Sequence, residues 1–466
     1  MSRPSTRSLL VLALVGAGVA WFGLFPLPAE PPGPVAVAAP SSGTTPSAAP
    51  SSSSLANPSP PPAPTPSASP SQTAQPSAGA TVVPPPTPPP RRIPTRPPAG
   101  EPPHATRATV TFLSNRLDSL RATYGLPGVS AAILFADGSI WQGTSGLADV
   151  KTDRPVTPDT EFAVASISKT FLAALVLALA EEGRVELEAP VSRYLPDLAI
   201  DPTITVHQLL DHTSGVYDYF DHPKIDVALL ADRERVWTPA DALRYVGKPY
   251  FKPGQGWHYS NTNYLILGLL AEEVGQAPLA DQLHARFLGP LGLDQTHYQG
   301  VDDPLGPLAR AYRFNGPGLD LPPIPLGDGT DVVPFTSVVT AAGSAGSIAS
   351  TAEDLVTWAR ALYSGRVLRP ASLAAMVVDV ADTAPFKPSI LYGLGVQAAT
   401  VDGRPTLGHS GRLLGSRTVV RWLPNEGIGI AVLTNQSRSD PNLVVRALLR
   451  VVLGVPRDCA GCAAPN

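Results

Sequence analysis

Three short stretches, far apart in the chain, contain residue types that can do nucleophilic and acid–base chemistry. Ser166 and Lys169 stand three residues apart in FAVASISKTF, where a long apolar run begins. Tyr259 and Asn261 follow a Pro-Gly loop in PGQGWHYSNTNY, and His409 opens a His-Ser-Gly triplet in PTLGHSGRLLGS. The first pair is the candidate centre of a reaction, because a serine becomes a good nucleophile only where a neighbouring base removes its proton.

The Ser166–Lys169 pair has the spacing that such a base needs. Residues three apart on a helix lie on one face, so the serine hydroxyl and the lysine amine are expected to be neighbours. The residues that follow, FLAALVLALA, are apolar on every side, which predicts a buried helix. Burial disfavours a charged amine and lowers its pKa toward neutrality, where it can accept a proton. The alternative is an ordinary helix start, where serine is common.

The other two stretches predict the walls of a site around that pair. A loop tyrosine such as Tyr259, beside an asparagine, can relay a proton and hold a substrate amide; the alternative is a helix cap with a packing tyrosine. His409, Ser410 and Gly411 end a strand pattern, and glycine lets a ligand approach the backbone closely. Here the alternative is a simple turn at the end of a strand.

The elements that must position these residues begin near residue 107. ATVTFLSNRLDSLRATY predicts a helix that ends at Gly125, and GVSAAILFADG and SIWQGTSG predict two strands joined at Asp137-Gly138. LYGLGVQAATVDG, PTLGHSG, SRTVVRWLP and GIGIAVLTN predict later strands, and VVRALLRVVLG predicts a closing helix. Short helical patterns dominate between residues 190 and 340.

This arrangement predicts an α/β (α+β) fold. Its antiparallel sheet is built from both ends of the folded region and flanked by helices, and the middle of the chain forms an inserted, mostly helical lobe. We expect the site in the cleft where the sheet and the lobe meet. No internal repeat is visible in the sequence.

The first 106 residues predict export. Arg3 and Arg7 precede the uncharged run LLVLALVGAGVAWFGLFPL, which predicts a signal peptide or N-terminal membrane anchor over 1–27. We favour an uncleaved anchor with its N-terminus in the cytoplasm. Residues 28–106 are rich in Pro, Ser, Ala and Thr and contain no Phe, Trp or Tyr, which predicts a disordered linker. The folded domain 107–455 and the tail 456–466 are then extracytoplasmic, at the cell surface or secreted.

Composition and motifs argue against several other classes of function and site. The 466-residue chain has a net charge of -4 and 15% charged residues, which gives no electrostatic basis for binding nucleic acid. His207 and His212 lack the H-E-x-x-H pattern, so we expect structural histidines and no zinc site. No G-x-S-x-G occurs, which argues against an α/β-hydrolase elbow. Cys459 and Cys462 predict either a local disulfide or a free tail.

Taken together, Ser-x-x-Lys, Tyr-x-Asn and His-x-Gly, in this order and at wide spacing, resemble the serine penicillin-recognising enzymes. Within them, the chain resembles most the branch of class C β-lactamases, DD-carboxypeptidases and esterases. ITVHQLLDHTSGV, YSNTNYLILGLLAEEVG, PLGLDQT and GSAGSIASTAEDLVTWARALYSG are also similar to that branch. The resemblance covers nearly all of residues 110–455 and implies a β-lactamase/transpeptidase-like fold.

The resemblance implies a role for each residue of the first two motifs. Ser166 is similar to the family's acylated nucleophile, and Lys169 is similar to the base beside it. Tyr259 matches the tyrosine that passes a proton to the leaving group. Asn261 matches the residue that contacts the substrate amide. No metal and no organic cofactor is implied.

The resemblance also implies the opposite wall of the site. The triplet His409, Ser410 and Gly411 matches the strand that lines this wall, and the backbone N–H groups of Ser166 and Arg412 would form the oxyanion hole. The Arg412 side chain either pairs with a substrate carboxylate or faces solvent. His409 stands where most β-lactamases have Lys, as in several family peptidases and esterases, which argues against efficient β-lactam hydrolysis.

The sequence therefore predicts an exported serine hydrolase that works through an acyl-enzyme. The favoured activity is that of a D-alanyl-D-alanine carboxypeptidase on cell-wall peptides. The alternatives are an esterase or β-lactamase acting on small esters or β-lactams, and a non-catalytic cell-wall or penicillin sensor on the same fold. We expect a monomer that needs no cofactor, binds no nucleic acid and is attached to the membrane by its N-terminal segment.

Overall fold

The computed structural model describes residues 105–313, 323–378, 381, 383 and 390–455. The predicted signal peptide or anchor at 1–27, nearly all of the predicted linker at 28–106 and the tail with Cys459 and Cys462 lie outside the described residues. In the part of the chain that is described, no helix combines the length and the apolar composition that crossing a bilayer requires.

The α-helices of the described residues are α1 (Arg107–Tyr124), α2 (Ser168–Glu181), α3 (Val206–Leu210), α4 (Ile225–Ala231), α5 (Pro239–Leu243), α6 (Asn261–Gly275), α7 (Leu279–Leu283), α8 (Gly289–Leu291), α9 (Thr336–Ala342), α10 (Ala352–Tyr363), α11 (Pro370–Val378) and α12 (Pro441–Val452). The strands are β1 (Gly128–Leu134), β2 (Ile140–Asp149), β3 (Arg154–Pro155), β4 (Phe162–Ala163), β5 (Thr296–Tyr298), β6 (Tyr312–Arg313), β7 (Ile324–Pro325), β8 (Ile348–Ser350), β9 (Ile390–Tyr392), β10 (Gln397–Val401), β11 (Arg404–Leu413), β12 (Ser416–Leu423) and β13 (Ile428–Thr434).

Within the described residues, the main sheet has eight strands in the order β3-β2-β1-β13-β12-β11-β10-β9. The first strand of the fold pairs with the last, and Ala131 lies opposite Val432 in that antiparallel pair. Between β4 and β8 the chain is mostly helical, with short strands. The predicted α/β (α+β) fold, an antiparallel sheet built from both ends around a helical insertion, is confirmed.

Both faces of this sheet are covered, which explains why the strand sequence GVSAAIL is apolar without alternation. Val129, Ala131 and Ile133 pack against α1 and α12 on one face. Ala132 and Leu134 point to the other face, where α2, α6 and α10 form the larger core. The predicted end of α1 is also confirmed, because Gly125 has a left-handed φ of 60° that favours glycine.

Helix α2 runs through the larger core and carries one side of the site. Every side chain from Ser168 to Leu177 is buried, as expected for a helix that is apolar on all sides. Phe171 stacks on Trp358 of α10 at 4.0 Å between ring centroids, and α6 packs alongside. The first turns of α2 and α6 therefore meet, which brings the Ser-x-x-Lys and Tyr-x-Asn stretches together.

Candidate active site

Ser166 lies in a tight 3-10 turn, Ala165–Ile167, immediately before α2. The sequence predicts a helix start near Ser166, whereas α2 begins two residues later, at Ser168. Ala165 has a φ of 52°, a left-handed conformation that costs a residue with a Cβ on the order of 1–3 kcal/mol. The Ser168 hydroxyl holds this turn, since it donates to Ala165 O at 2.6 Å and accepts from Ile348 N at 3.1 Å.

The Lys169 amine is fully buried and has three oxygen neighbours among the described residues. Its Nζ lies 3.2 Å from Ser166 Oγ, 2.8 Å from Asn261 Oδ1 and 2.8 Å from Ala345 O. Burial lowers the pKa of Lys169 to about 7, although the charge of Asp218 acts in the opposite direction. A neutral amine has two N–H bonds and one lone pair. The amide and carbonyl oxygens can only accept, so the lone pair faces the Ser166 hydroxyl, the one neighbour that can donate.

Asn261, the first residue of α6, connects Lys169 to a buried carboxylate. Its Nδ2 donates to Asp218 Oδ2 at 2.8 Å. Burial, followed by the charge of Asp221, raises the pKa of Asp218 to about 7. Both polar atoms of Asn261 thus pair inside the protein, and its predicted contact with a substrate amide stays a prediction. Asp218 is absent from the sequence prediction, because a lone aspartate in VYDYF carries no motif spacing.

Tyr259 lies just before α6 with its ring close to the lysine. The ring centroid is 4.9 Å from Lys169 Nζ. Burial raises the pKa of Tyr259, which the neighbouring Ser166 hydroxyl offsets only in part, so the phenol keeps its proton at neutral pH. Its buried hydroxyl oxygen makes no hydrogen bond of standard geometry within the described ranges. Tyr259 therefore stands beside Ser166 as a protonated group, able to act as an acid.

The two histidines that the sequence assigns to structural roles differ in position. His207 lies on α3 and pairs with Glu188 at 2.7 Å. His212 is buried, and its ring centroid is 4.4 Å from that of Tyr259. The described residues contain no group of three or more His, Cys, Asp and Glu side chains that could hold a metal ion. Sequence reasoning weighed His212 only against a zinc site and missed its place beside Tyr259.

His409 lies within β11, so its triplet belongs to a strand and is not a turn. The buried ring is held at both nitrogens: Nδ1 is 2.7 Å from Ser410 O, and Nε2 is 2.9 Å from Tyr392 Oη. A carbonyl only accepts, so Nδ1 carries a proton, and in the neutral ring Nε2 accepts from the Tyr392 hydroxyl. The ring centroid lies 6.4 Å from that of Tyr259.

Gly411 allows β11 to approach the segment that carries the nucleophile. A Cβ at this position would lie 2.1 Å from both Val164 O and Thr418 Oγ1. Thr418 Oγ1 donates to the same carbonyl at 2.9 Å, so a methyl group would also displace this bond. Because Gly411 has no side chain, β11 can pack directly against the backbone that leads into the turn that holds Ser166.

The backbone N–H of Arg412 points toward one edge of β11. Ser410 N donates to Gln397 Oε1 at 3.2 Å, on the side of β10. N–H groups two residues apart in a strand point to the same side, so the Arg412 N–H shares this direction. The β10–β11 pairing ends at Gln397 and Gly408, so Arg412 lies beyond the last paired residue. This direction fits an oxyanion donor, and that role stays a prediction.

The Arg412 side chain shares one face of β11 with Ser410, opposite to the face of His409. It is half-buried and lies across from Arg417 of β12. Burial lowers the pKa of Arg412, and burial together with the Arg412 charge lowers the pKa of Arg417 to about 10. The charge of Asp440 acts on Arg417 in the opposite direction. Because the Arg412 side chain lies on the face of β11 opposite to that of His409, its predicted pairing with a substrate carboxylate stays a prediction.

Comparison with known proteins identifies the family. The Beta-lactamase family model matches residues 113–454. Penicillin-binding protein 4 of Amycolatopsis lactamdurans is 31% identical over 335 residues, covering 69% of this chain and 84% of that protein. Esterase EstB of Burkholderia gladioli is 28% identical over 340 residues, covering 65% of this chain and 84% of that protein. A D-stereospecific amidohydrolase from Streptomyces sp. superposes with a TM-score of 0.63 and 30% identity, over 74% of this chain and 98% of that one.

These similarities span the sheet, the helical insertion and the three motif stretches. They confirm the family resemblance that the motifs indicate. The chain therefore belongs to the β-lactamase family and is a serine hydrolase related to the penicillin-binding proteins.

Proposed function

We propose that the chain removes the terminal residue from peptides that end in D-Ala-D-Ala, through an acyl-enzyme on Ser166. The observation that carries the chemistry is the buried Lys169 amine, 3.2 Å from Ser166 Oγ, whose two other neighbours can only accept hydrogen bonds. This arrangement presents a lone pair to the one hydroxyl that must lose a proton.

In acylation, Lys169 accepts the Ser166 proton while the serine oxygen attacks the carbonyl carbon of the scissile bond. The backbone N–H groups of Ser166 and Arg412 stabilise the negative charge on the carbonyl oxygen. Tyr259 donates its proton to the leaving nitrogen as the C–N bond breaks, and the Lys169 ammonium returns a proton to the phenolate. Lys169 is then neutral again, and the leaving group departs as an amine.

Deacylation uses the same groups in the opposite direction. A water molecule enters the place of the departed amine and loses a proton to the Tyr259–Lys169 pair as it attacks the ester carbonyl. The Ser166 oxygen takes up a proton as the ester bond breaks, which restores the hydroxyl. No other proton donor or acceptor is needed, because each proton taken from Ser166 or water is returned within the cycle.

Three observations support a peptide substrate with D-residues. One relative is named as a penicillin-binding protein and one solved structure is named as a D-stereospecific amidohydrolase. His409 replaces the lysine of most β-lactamases, which argues against β-lactam hydrolysis as the main activity. Pairing of the Arg412 guanidinium with the terminal carboxylate of such a peptide is a further part of the proposal, which the substitution Arg412→Ala tests.

The esterase alternative has one supporting observation, the 28% identity to Esterase EstB. A simple ester lacks the carboxylate with which the Arg412 side chain is proposed to pair. A module that only binds its ligand would have no need of Ser166, Lys169 and Tyr259 together.

The remaining parts of the proposal concern the chain outside the hydrolase domain. The apolar run in 1–27 anchors the protein in the membrane, and 28–106 acts as a linker, so the domain works outside the cytoplasm, where cell-wall peptides are found. We further propose that the protein acts as a monomer without a cofactor.

The test is to assay the purified full-length chain against a D-Ala-D-Ala peptide, its L-Ala-L-Ala counterpart, a p-nitrophenyl ester and a chromogenic cephalosporin. We expect release of D-alanine from the first and no release from the second. Turnover of the ester alone would identify an esterase. A long-lived penicillin adduct without turnover of any substrate would identify a sensor.

A further inference from the structure

His212 contacts the chain on both sides of Tyr259. Its backbone carbonyl accepts a hydrogen bond from His258 N at 3.1 Å. Its ring Nδ1 accepts a hydrogen bond from Ser260 N at 3.2 Å. The two residues that flank Tyr259 are therefore fixed by one histidine, whose ring also lies 4.4 Å from the Tyr259 ring. The sequence separates these residues by 46 to 48 positions, so only the fold brings them together.

The hydrogen bonds determine which ring nitrogen of His212 carries the proton. Nδ1 accepts from Ser260 N and is also 3.3 Å from Asn263 Nδ2, which can only donate. The neutral ring therefore carries its hydrogen on Nε2. That nitrogen is buried and has no hydrogen-bonding partner among the described residues.

His212 carries two unfavourable features at once. Leaving the Nε2–H donor buried and unpaired costs free energy. The backbone φ of 67° is a left-handed conformation that side chains rarely adopt. Strain of this kind persists where the surroundings require it, and it is concentrated at functional sites. The two hydrogen bonds to the chain around Tyr259 are among the contacts of His212 that offset these costs.

The charge environment keeps this arrangement intact. Burial lowers the pKa of His212 well below its usual value, and the positive charges of Lys169, His409 and His258 act in the same direction. The rings of Tyr259, Tyr264, Tyr392 and Trp257 also pack around it. A proton on Nδ1 would remove its bond to Ser260 N, so the neutral ring is the form that holds the loop.

We propose that His212 is a positioning residue that holds the Tyr259 phenol beside Ser166 and Lys169 for proton donation to the leaving nitrogen. The phenol interacts with the Ser166 hydroxyl, and its position also depends on the main chain on both sides of Tyr259 and on the packing of the ring. His212 supplies both. This inference rests on the proposed acyl-transfer chemistry but does not depend on which peptide or amide is the substrate.

Two substitutions separate the acceptor role from simple space filling. In His212→Asn, Oδ1 takes the place of the Nδ1 acceptor, and asparagine adopts left-handed backbone more readily than most residues. In His212→Gln, the amide reaches the place of Nε2 and the acceptor at Nδ1 is lost. His207→Gln is the matched control, because His207 lies on the same segment but pairs with Glu188 at the surface.

The readout is the rate at which a fluorescent penicillin acylates Ser166, because the departing β-lactam nitrogen needs a proton. We expect His212→Gln to slow acylation by on the order of tenfold or more, and His212→Asn to stay within about threefold of the wild type. Acylation by a p-nitrophenyl ester should slow less in His212→Gln, because p-nitrophenolate departs without a proton. Unchanged penicillin acylation in His212→Gln, or equal losses with both reagents, would overturn the proposal.

A double substitution tests whether His212 acts through Tyr259. If it does, adding His212→Gln to Tyr259→Phe should slow acylation little further, because the positioned group is already gone. If the rate losses of the two single substitutions multiplied in the double variant, the proposal would be overturned. If penicillin acylates the wild type but D-Ala-D-Ala peptides are not cleaved, the proposed function fails while this test stands. No acylation by either reagent would overturn both.

A measurement on the wild type covers the case in which the variants fail to fold. ¹⁵N NMR of the histidine-labelled chain should show one slowly exchanging ring with its proton on Nε2. That ring should stay neutral from pH 8 to about 5, the range in which exposed histidines titrate. Absence of such a ring, or its protonation within this range, would overturn the proposal.

Discussion

The buried amine of Lys169 and the buried carboxylate of Asp218 are joined through the side-chain amide of Asn261, with 2.8 Å on each side. The amide fixes the geometry but carries no charge, so the carboxylate acts on the amine through its electric field. Burial lowers the pKa of Lys169 and the field of Asp218 raises it, which leaves the value at about 7. The lysine is therefore balanced between its two protonation states near neutral pH.

Asp218→Asn should move the rise of kcat/KM with pH to lower pH. In the wild type the rate should rise through about pH 7, because Lys169 must lose its proton before it can accept one from Ser166. Removing the negative charge of Asp218 lowers the pKa of Lys169. The neutral amine therefore remains the main form down to a lower pH. Rate profiles of both proteins with a p-nitrophenyl ester measure the shift. A profile that stays in place, or moves to higher pH, would contradict the role given to Asp218.

Tyr259→Phe should slow cleavage of amide substrates by on the order of 10²-fold or more, because the leaving nitrogen loses its acid. A p-nitrophenyl ester should be affected less, since its leaving group needs no proton. Groups that act as a unit give non-additive losses, so adding Lys169→Met should leave the double variant little slower than the slower single variant. Full amide activity in Tyr259→Phe would show that the phenol has no part in proton transfer.

Gly411→Ala should reduce both stability and activity. The added methyl group would lie 2.1 Å from Val164 O and from Thr418 Oγ1, so the strand must move away from the turn that carries Ser166. Overpacking of this kind costs about 1–3 kcal/mol. Gly429→Ala in β13 is the control, because its methyl group would meet Val356 Cβ at 3.4 Å, an ordinary contact. The thermal unfolding temperature and the rate of ester turnover should fall clearly in Gly411→Ala and not in Gly429→Ala. Equal effects in the two variants would contradict the close packing of β11 against Val164.

The parts of this fold that depend on local pattern could be predicted. The stretch GVSAAIL indicated a strand, and Gly125 ended α1 because it can adopt a left-handed φ. The nearness of Ser166 to Lys169 follows from their spacing along the chain. The exact start of α2 could not be predicted from the sequence pattern, because it depends on the strained φ of Ala165 and on the hydrogen bonds of the Ser168 hydroxyl.

The supporting residues could not be predicted because their partners are distant in sequence. Asp218 and Asn261 are 43 residues apart, and His212 and Ser260 are 48 apart. No periodicity connects such pairs, and a single aspartate or histidine has no motif of its own. Their positions arise from two loops that pack together only in the folded chain, with His258 N bonded to His212 O.

Arg412→Ala should weaken turnover of substrates with a free carboxylate by about 1.5–3 kcal/mol, the worth of a hydrogen bond to a charged group. Turnover of a neutral ester should hardly change, because the backbone N–H survives the substitution. Arg417→Ala is the matched control of equal charge across the strand pair, where Nε donates to Ser437 O. Equal losses on both substrate types in Arg412→Ala would point to a disturbed oxyanion hole, and no loss on either would leave the side chain without a role in binding.

The central claim is that Ser166 forms an acyl-enzyme, and mass spectrometry of the acylated chain tests it most directly. The full-length protein is mixed with penicillin, quenched, and mapped by peptide fragmentation. We predict an adduct on Ser166 in the wild type and none in Ser166→Ala. Ser168→Ala should keep the adduct on Ser166 and lose only stability, by about 1–3 kcal/mol, because the Ile348 N–H loses its acceptor. An adduct on Ser168, or labelling of Ser166→Ala at the wild-type level, would contradict the account.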